Sequence, residues 1–391
     1  MAKEPLILGG SVTPFGRHRD GSHWRDWVRQ AGADALADAG LVTTDIDAVV
    51  VASESDFLSL QINPGPVVLD ELGLSGRPVI RVEGGGASGG LALREGMMQI
   101  MAGMARRVLV IGFEAAAGHL DPNNVQLAYG LSFDAEIDGM AGATAASLYA
   151  LSITEHMARF GTTVEQMAAV SVKNHRNAIG NPWAHKPMSI TIDDVLASPM
   201  VATPYHRLDC SLASDGAASV VLAHPDAAPK MTRPISCITG SGVGSDFARL
   251  GDRVERHAFI AKRRAADAAY AMAGILNAAR DIDVAEVCDP FSGAEIQSLE
   301  ALGLALPGEA ASALADGAFS IESDLPVNLS GGLIGQGGAP GATGIAQAVT
   351  MDQLLGGRYR DIAGSFKRGI IDVHGGVGTL AAVHVMERVE P

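Results

Sequence analysis

Glu83-Gly-Gly-Gly-Ala-Ser-Gly-Gly-Leu-Ala-Leu93 and Gly331-Gly-Leu-Ile-Gly-Gln-Gly-Gly-Ala-Pro-Gly-Ala-Thr-Gly344 are the stretches on which the fold turns. Each is a glycine cluster ahead of an apolar helix: Leu91, Leu93, Met97, Met98 and Met101 follow the first, and Ile345, Ala346 and Val349 the second. Gly85-Gly86-Ala87-Ser88-Gly89 aligns with Gly337-Gly338-Ala339-Pro340-Gly341. A second match follows in the same order, Gly216-Ala-Ala-Ser-Val-Val-Leu222 with Gly378-Thr-Leu-Ala-Ala-Val-His384, each a glycine opening a buried strand. Two matches in one order indicate a chain built from two related halves.

Outward from the first cluster, strands alternate with helices. Leu6 to Gly10, Ile46 to Ser53, Pro78 to Val82 and Arg107 to Phe113 are short apolar runs without alternation, and a helix is expected near Asp26 to Ala39. Continuous apolar strands separated by helices predict an α/β architecture with a sheet covered on both faces. Residues 118 to about 213 break the rhythm and read as an inserted lobe: polar loops around Asn123 to Asp138, then a helix opened by the capping box Thr162-Thr-Val-Glu165. Regular structure resumes at Ser214 to Ala223, and a helix over roughly Arg264 to Ala279 leads to a strand from Ala285 to Phe291. The expected division is residues 1–250, holding the lobe at 118–213, and residues 251–391.

Composition narrows the function. Hydrophobic residues make up 47% and charged residues 19% of 391, with 47 glycines and mean hydropathy +0.19, which excludes disorder for most of the chain. A net charge of −15 repels phosphate backbones and anionic lipid, so neither nucleic acid nor membrane is an expected partner. No apolar run reaches the roughly 20 residues of a membrane span, and the start lacks a signal-peptide pattern, so the expected location is cytoplasmic. Cys210, Cys237 and Cys288 are far apart and odd in number, and the histidines form no local ligand pair, so neither disulfides nor a metal is expected.

A glycine cluster between strand and helix gathers backbone N–H groups at the carboxyl end of a sheet, where such folds bind their ligands; close helix packing uses the same residues. Gly84 to Gly89 does spell G-x-G-x-x-G, but no nucleotide-binding unit surrounds it, and nicotinamide binding is not expected.

The blocks Gly86-Ala-Ser-Gly-Gly-Leu-Ala-Leu, His175-Arg-Asn-Ala, Leu196-Ala-Ser-Pro-Met-Val, Leu208-Asp-Cys-Ser-Leu-Ala-Ser-Asp-Gly-Ala-Ala, Cys288-Asp-Pro-Phe-Ser-Gly-Ala-Glu and Gly331 to Gly344 are in the order found in thiolases. Over essentially its whole length the chain resembles the thiolase superfamily, in particular its sterol-carrier-protein branch. The resemblance implies a thiolase fold of two similar halves in five αβαβα layers with an inserted loop domain, a homodimer, and acyl-CoA thioesters as substrates, with coenzyme A as carrier and no other cofactor.

It also implies a cysteine nucleophile at the first glycine turn, a histidine at the second and a second cysteine as acid/base. Aligned on the glycines these positions are Gly86, Gly338 and Asp372, and the usual Asn-Glu-Ala-Phe or His-Asp-Cys-Phe motif reads Cys288-Asp289-Pro290-Phe291. No cysteine lies within 100 residues of Gly86, so a shift of register restores no nucleophile. The candidate catalytic residues are therefore His374, Asp372, Asp289 and Cys288, and the candidate substrate-binding residues Gly86, Ser88, Gly338 and Gly376. Each has a plainer reading. Asp372 and His374 share a strand face and pair, or the imidazole bonds a backbone carbonyl. Cys288 is a buried small hydrophobe, Ser88 a helix cap, and Asp289 and Glu83 structural acceptors. His175 and Cys210 read as structural.

Three functions remain. The first is carbon–carbon bond chemistry of retro-aldol type on a bulky acyl-CoA, as in thiolase-like aldolases of lipid metabolism, which work with a small OB-fold and zinc-ribbon partner. Those aldolases are associated with catalytic tyrosines, and none of Tyr129, Tyr149, Tyr205, Tyr270 or Tyr359 falls in a motif of the family. The second is a non-catalytic acyl-CoA-binding or scaffold subunit, and the third an acetyl-CoA acyltransferase with an atypical active site.

Overall fold

A computed structural model describes residues 4–118, 121–362 and 366–391. In chain order its principal elements are β1 (Leu6–Val12), α1 (Trp24–Asp38), β2 (Ala48–Ala52), α2 (Pro64–Leu72), β3 (Val79–Val82), α3 (Ser88–Met101), β4 (Arg107–Ala115), α4 (Ala145–Phe160), α5 (Val164–Ala178), β5 (Asp215–Ala223), β6 (Ile235–Ser245), α6 (Ile260–Ala273), β7 (Val284–Glu286), α7 (Ser292–Ala301), α8 (Pro340–Leu355), β8 (Arg368–Gly375) and β9 (Leu380–Val389).

The strands join in the order β3-β2-β4-β5-β1-β6-β9-β8-β7. Its two parts repeat one pattern. In the first, β2 runs parallel to β3 and β4, β4 antiparallel to β5, and β5 antiparallel to β1. In the second, β7 runs parallel to β8 and is bridged in parallel by Ala285 and Val327, β8 is antiparallel to β9, and β9 to β6. Strand pairing thus opens the second half at β6, and α8 stands there where α3 stands in the first. Among the described residues the halves meet edge to edge through two residue pairs, Leu6 with Cys237 and Ile7 with Ser236. The layers are α1 with α2, the first half-sheet, the central pair α3 and α8, the second half-sheet, and α6 with α7. The two halves expected from the glycine repeats, and the five-layer α/β architecture that the resemblance implies, are present.

What brings the central helices together is the absence of side chains where they cross. A Cβ on Gly344 would lie 2.5 Å from the backbone nitrogen of Gly90, and one on Gly89 would lie 2.9 Å from that of Gly344. The start of α8 presses equally hard on β4: a Cβ on Gly112 would lie 2.0 Å from the carbonyl oxygen of Gly341. These are backbone-on-backbone contacts that no other residue allows.

Several local expectations shift. A helix, Pro122–Tyr129, occupies part of the segment read as polar loop. The capping box of α5 uses Thr163 and Gln166, one residue beyond the predicted pair, because the Thr162 hydroxyl bonds Nδ1 of the buried His156 at 3.0 Å. The helix expected from Arg264 starts at Ile260 and stops at the left-handed Gly274, and the following strand is only three residues long. Among the described residues no helix is long and apolar enough to cross a membrane.

Adding a methyl group at the crossing forces two main chains apart, an overpacking that costs about 1–3 kcal/mol. Gly344→Ala is expected to lower unfolding stability by that amount in urea titrations, whereas Gly251→Ala, with no atom within 4 Å of the new Cβ, leaves it within about 0.5 kcal/mol.

Candidate active site

The two glycine turns converge on one cavity of about 730 Å³. Gly86 and Gly338 both line it, together with Gly376, His374 and Cys288 and with Tyr149, His185 and Cys210 from the segment between β4 and β5. Two exposed arginines, Arg17 and Arg207, also contribute to its wall.

The turns differ in the space they offer. At Gly86 a Cβ would sit 2.5 Å from the carbonyl oxygen of His374, and at Gly375 one would sit 2.2 Å from the carbonyl oxygen of Gly84. The first turn is thus laid directly on the end of β8. At Gly338 the nearest atoms to a Cβ are 3.6 Å away or more, so this position has room for a side chain. Its backbone is pinned: Gly338 N–H donates to Leu212 O and Gly338 O accepts from Ser214 N–H, both at 2.9 Å.

Of the predicted catalytic residues, His374 and Cys288 reach the cavity wall, while Asp372 and Asp289 stand behind it. The expected Asp372–His374 pair does not form. Asp372 accepts from the backbone N–H of Cys288 at 2.8 Å and forms an ion pair with Lys262, both side chains being fully buried. His374 instead places Nε2 2.7 Å from the Tyr149 hydroxyl, which donates to Gly376 O at 2.8 Å. One hydroxyl proton cannot serve both contacts. With it on Gly376 O, His374 carries its proton on Nε2 and donates to Tyr149, leaving Nδ1 unprotonated and buried without a partner.

Asp372, paired with Lys262, does not hold the His374 pKa up. Burial foremost, then the positive charges of Lys262 and Arg253, push it well below the usual histidine range, so the ring is neutral. Burial likewise pushes the Cys288 thiol up to about 12 and Cys210 up to about 12, which keeps both protonated at neutral pH.

Asp289 closes a helix rather than facing the cavity. It accepts from Leu333 N–H at 2.6 Å and Ile334 N–H at 3.3 Å at the start of the short helix Gly332–Gly335, and from Asn174 at 2.7 Å. Ser88 ties the first turn, its hydroxyl accepting from Gly84 N–H at 3.0 Å and donating to Gly85 O at 2.6 Å. Glu83 accepts from Gly85 N–H at 2.6 Å.

Tyr149, His185 and Glu54 are among the groups on the cavity wall that lie outside every motif read from the sequence. Tyr149 projects from α4 between Phe259 and Phe291. His185 sits beside the second turn with Nδ1 2.8 Å from the Ser214 hydroxyl. Glu54 follows β2, accepts from Ser132 at 2.9 Å, and keeps its second oxygen buried without a partner. Burial pushes the Glu54 pKa up to about 7, helped by the negative charge of Glu83 and opposed by the Ser132 bond. Behind it Glu114, raised further by burial and by Glu54, accepts from both Glu54 N–H and Gly341 N–H and so ties the halves together.

The comparisons with known proteins agree with this geometry. The thiolase N-terminal domain model matches residues 6–226 and the thiolase C-terminal domain-like model residues 244–388. An acetyl-CoA acetyltransferase of Methanothermobacter thermautotrophicus is 40% identical over 99% of this chain and all of its own length. Sterol carrier protein 2 of Gallus gallus is 29% identical, over 95% of this chain and 69% of its own. Among solved structures, the Ltp2-ChsH2(DUF35) aldolase is 25% identical with a TM-score of 0.84, covering 98% of each chain. Two glycine turns converging on one cavity between duplicated halves define a thiolase-fold protein. The chain belongs to the thiolase family, on its sterol-carrier-protein side, and is thiolase-like in acting on acyl-CoA without a further cofactor.

The raised Glu54 gives a pH signature. A carboxyl whose pKa rises from 4.5 unfolded to about 7 folded contributes stability that is complete below pH 4.5 and is lost as pH climbs through 7. Glu54→Gln removes that group's share of the loss. Thermal melts from pH 4.5 to 8 are expected to show a smaller decline in the variant than in the parent, with the difference concentrated between those two pKa values.

Proposed function

We propose that this protein makes or breaks a carbon–carbon bond of a bulky acyl-CoA, in the retro-aldol sense, without a covalent acyl-enzyme. One observation carries the reading: at Gly86, which the family resemblance aligns with the nucleophile, a Cβ would meet a backbone oxygen at 2.5 Å, so the turn offers neither a thiol nor room for one. The remaining thiols on the wall are held protonated. A retro-aldol cleavage needs only a base for the β-hydroxyl proton, donors for the thioester enolate, and an acid to return a proton to the α-carbon. Tyr149 held by His374 supplies a hydroxyl of the kind the aldolases of this superfamily use. A cavity of about 730 Å³ accommodates a large acyl group. Arg17 and Arg207 on its wall suit the phosphates of coenzyme A, despite the overall charge of −15.

The partner reading follows the structural neighbour, an aldolase solved together with a DUF35 protein. A small OB-fold and zinc-ribbon protein is accordingly proposed as partner, and location in the cytoplasm is part of the same proposal.

Purified chain, alone and with such a partner, should cleave members of a β-hydroxyacyl-CoA panel to a carbonyl compound and a shortened acyl-CoA, while intact-protein mass spectrometry after acetyl-CoA shows no adduct. Tyr149→Phe and His374→Ala should each lower kcat by about two to four orders of magnitude with the fold retained. An acetyl group trapped on Cys288 would return the chain to the acyltransferases. Full-rate cleavage in His374→Ala would remove that residue from the mechanism. A panel left untouched would favour the scaffold reading.

Homodimerisation is proposed through β3. This strand ends the sheet with one neighbour, and Phe57, Leu60, Ile62 and Ile80 beside it are 66%, 76%, 82% and 45% exposed. Multi-angle light scattering at micromolar concentration should give twice the 40.3 kDa chain mass. Ile80→Lys should give the single mass.

A further inference from the structure

We infer that His185, carried by the inserted lobe, is the general base of this site, standing beside the Gly338 turn with its Nε2 open to the cavity. The assignment rests on the carbon–carbon reading above, whose base that reading leaves unnamed.

The placement is built by backbone contacts. His185 N–H donates to Gln336 O at 2.8 Å, and a Cβ on Gly337 would lie 3.1 Å from the His185 Cβ and 2.3 Å from the Ser214 hydroxyl. Gly337, at φ +106°, therefore lets both side chains close onto the turn. Ser214 in turn donates its backbone N–H to Gly338 O. The imidazole and the side-chain-free position at 338 are thus fastened to the same short strip of chain.

The hydrogen bonds also fix the tautomer. The Ser214 hydroxyl lies 3.0 Å from Leu212 O, an oxygen that only accepts, and 2.8 Å from His185 Nδ1. Both contacts are hydrogen bonds only if Ser214 donates to Leu212 O and Nδ1–H donates to Ser214. Nε2 then holds a lone pair, and none of the described residues bonds it. Burial, with His18 and Lys186 nearby, lowers the pKa of the ring; Asp215 opposes them, and Arg17 and Arg207 share the wall. At neutral pH the base is therefore in its unprotonated form.

The step balances. Nε2 takes the β-hydroxyl proton, the Cα–Cβ bond breaks, Cβ leaves as a carbonyl carbon, and the electron pair enters the thioester enolate. The imidazolium proton, directly or by way of a cavity water, then goes to Cα, regenerating neutral imidazole and releasing the shortened acyl-CoA.

Nitrogen-15 NMR of the histidine-labelled chain, assigned with His185→Gln, should show His185 protonated on Nδ1 and bare on Nε2 at pH 7. An Nε2–H or doubly protonated ring overturns the proposal whatever the activity. With a cleaved β-hydroxyacyl-CoA, His185→Gln and His185→Ala should lose two to four orders of magnitude in kcat with KM changed less than threefold, melting temperature kept, and the acidic limb of the kcat/KM profile gone. Placing the ring at the neighbouring position, in the double variant His185→Ala with Gly338→His, should recover part of the loss. Unchanged kcat in both single variants overturns the role of His185 and leaves the carbon–carbon reading standing. A parent chain inactive on the whole panel defeats that reading by itself. Acetoacetyl-CoA then decides for the site: a shift of the Nε2 resonance on binding supports its facing the acyl group, and no shift overturns it.

Discussion

Everything in this molecule depends on two helices crossing at zero side-chain distance. Gly89 and Gly90 meet Gly344 main chain to main chain, and Gly341 is pressed onto Gly112. Because α3 and α8 are equivalents in the two halves, contact near their first turns necessarily brings the preceding glycine loops together. The cavity is therefore a product of helix packing before it is a product of any polar residue. Moving the helices apart by the width of one methyl group would separate the turns and lose the enclosure that makes the site.

The charges buried around this crossing are mostly occupied in holding it. Asp372 and Lys262 neutralise one another behind the cavity wall, Asp289 satisfies the free N–H groups of a four-residue helix, and Glu114 accepts from the backbone of both halves. A buried charge without such partners would be prohibitively costly, and removing one partner leaves the other uncompensated. Apart from the exposed Arg17 and Arg207, what remains on the wall is neutral or weakly ionised: two tyrosines, two histidines, thiols and one raised carboxyl. Such a surface suits proton transfer more than ion pairing.

The fold was legible because it resides in glycines and apolar runs, which leave a local signature. The repeat of Gly85 to Gly89 at Gly337 to Gly341 marked the two equivalent turns, and the second repeat marked equivalent strands. The site was legible only where it coincides with those turns. Tyr149, His185 and Glu54 come from α4, from a loop after α5 and from the end of β2, and they meet through tertiary packing that no spacing encodes. The two-residue spacing of Asp372 and His374 did put both on one face of β8, but it could not show that Lys262, more than 100 residues earlier, already holds the carboxylate. The helix cap at Thr163 was misread by one residue for a similar reason, since a distant partner, His156, engages Thr162.

The unequal room at the two turns has a consequence for how such a site can change. Position 86 is closed by a main-chain oxygen, so any side chain introduced there must first displace the end of β8 and, with it, the backbone that carries His374. Position 338 is empty space bounded by the movable side chain of Leu333 and one carbonyl oxygen. New chemistry can thus enter this protein one substitution at a time at the second turn, whereas at the first it demands coordinated rebuilding. The chain has in effect a one-sided tolerance to change: the second turn admits a new side chain, while the first is locked to the end of β8.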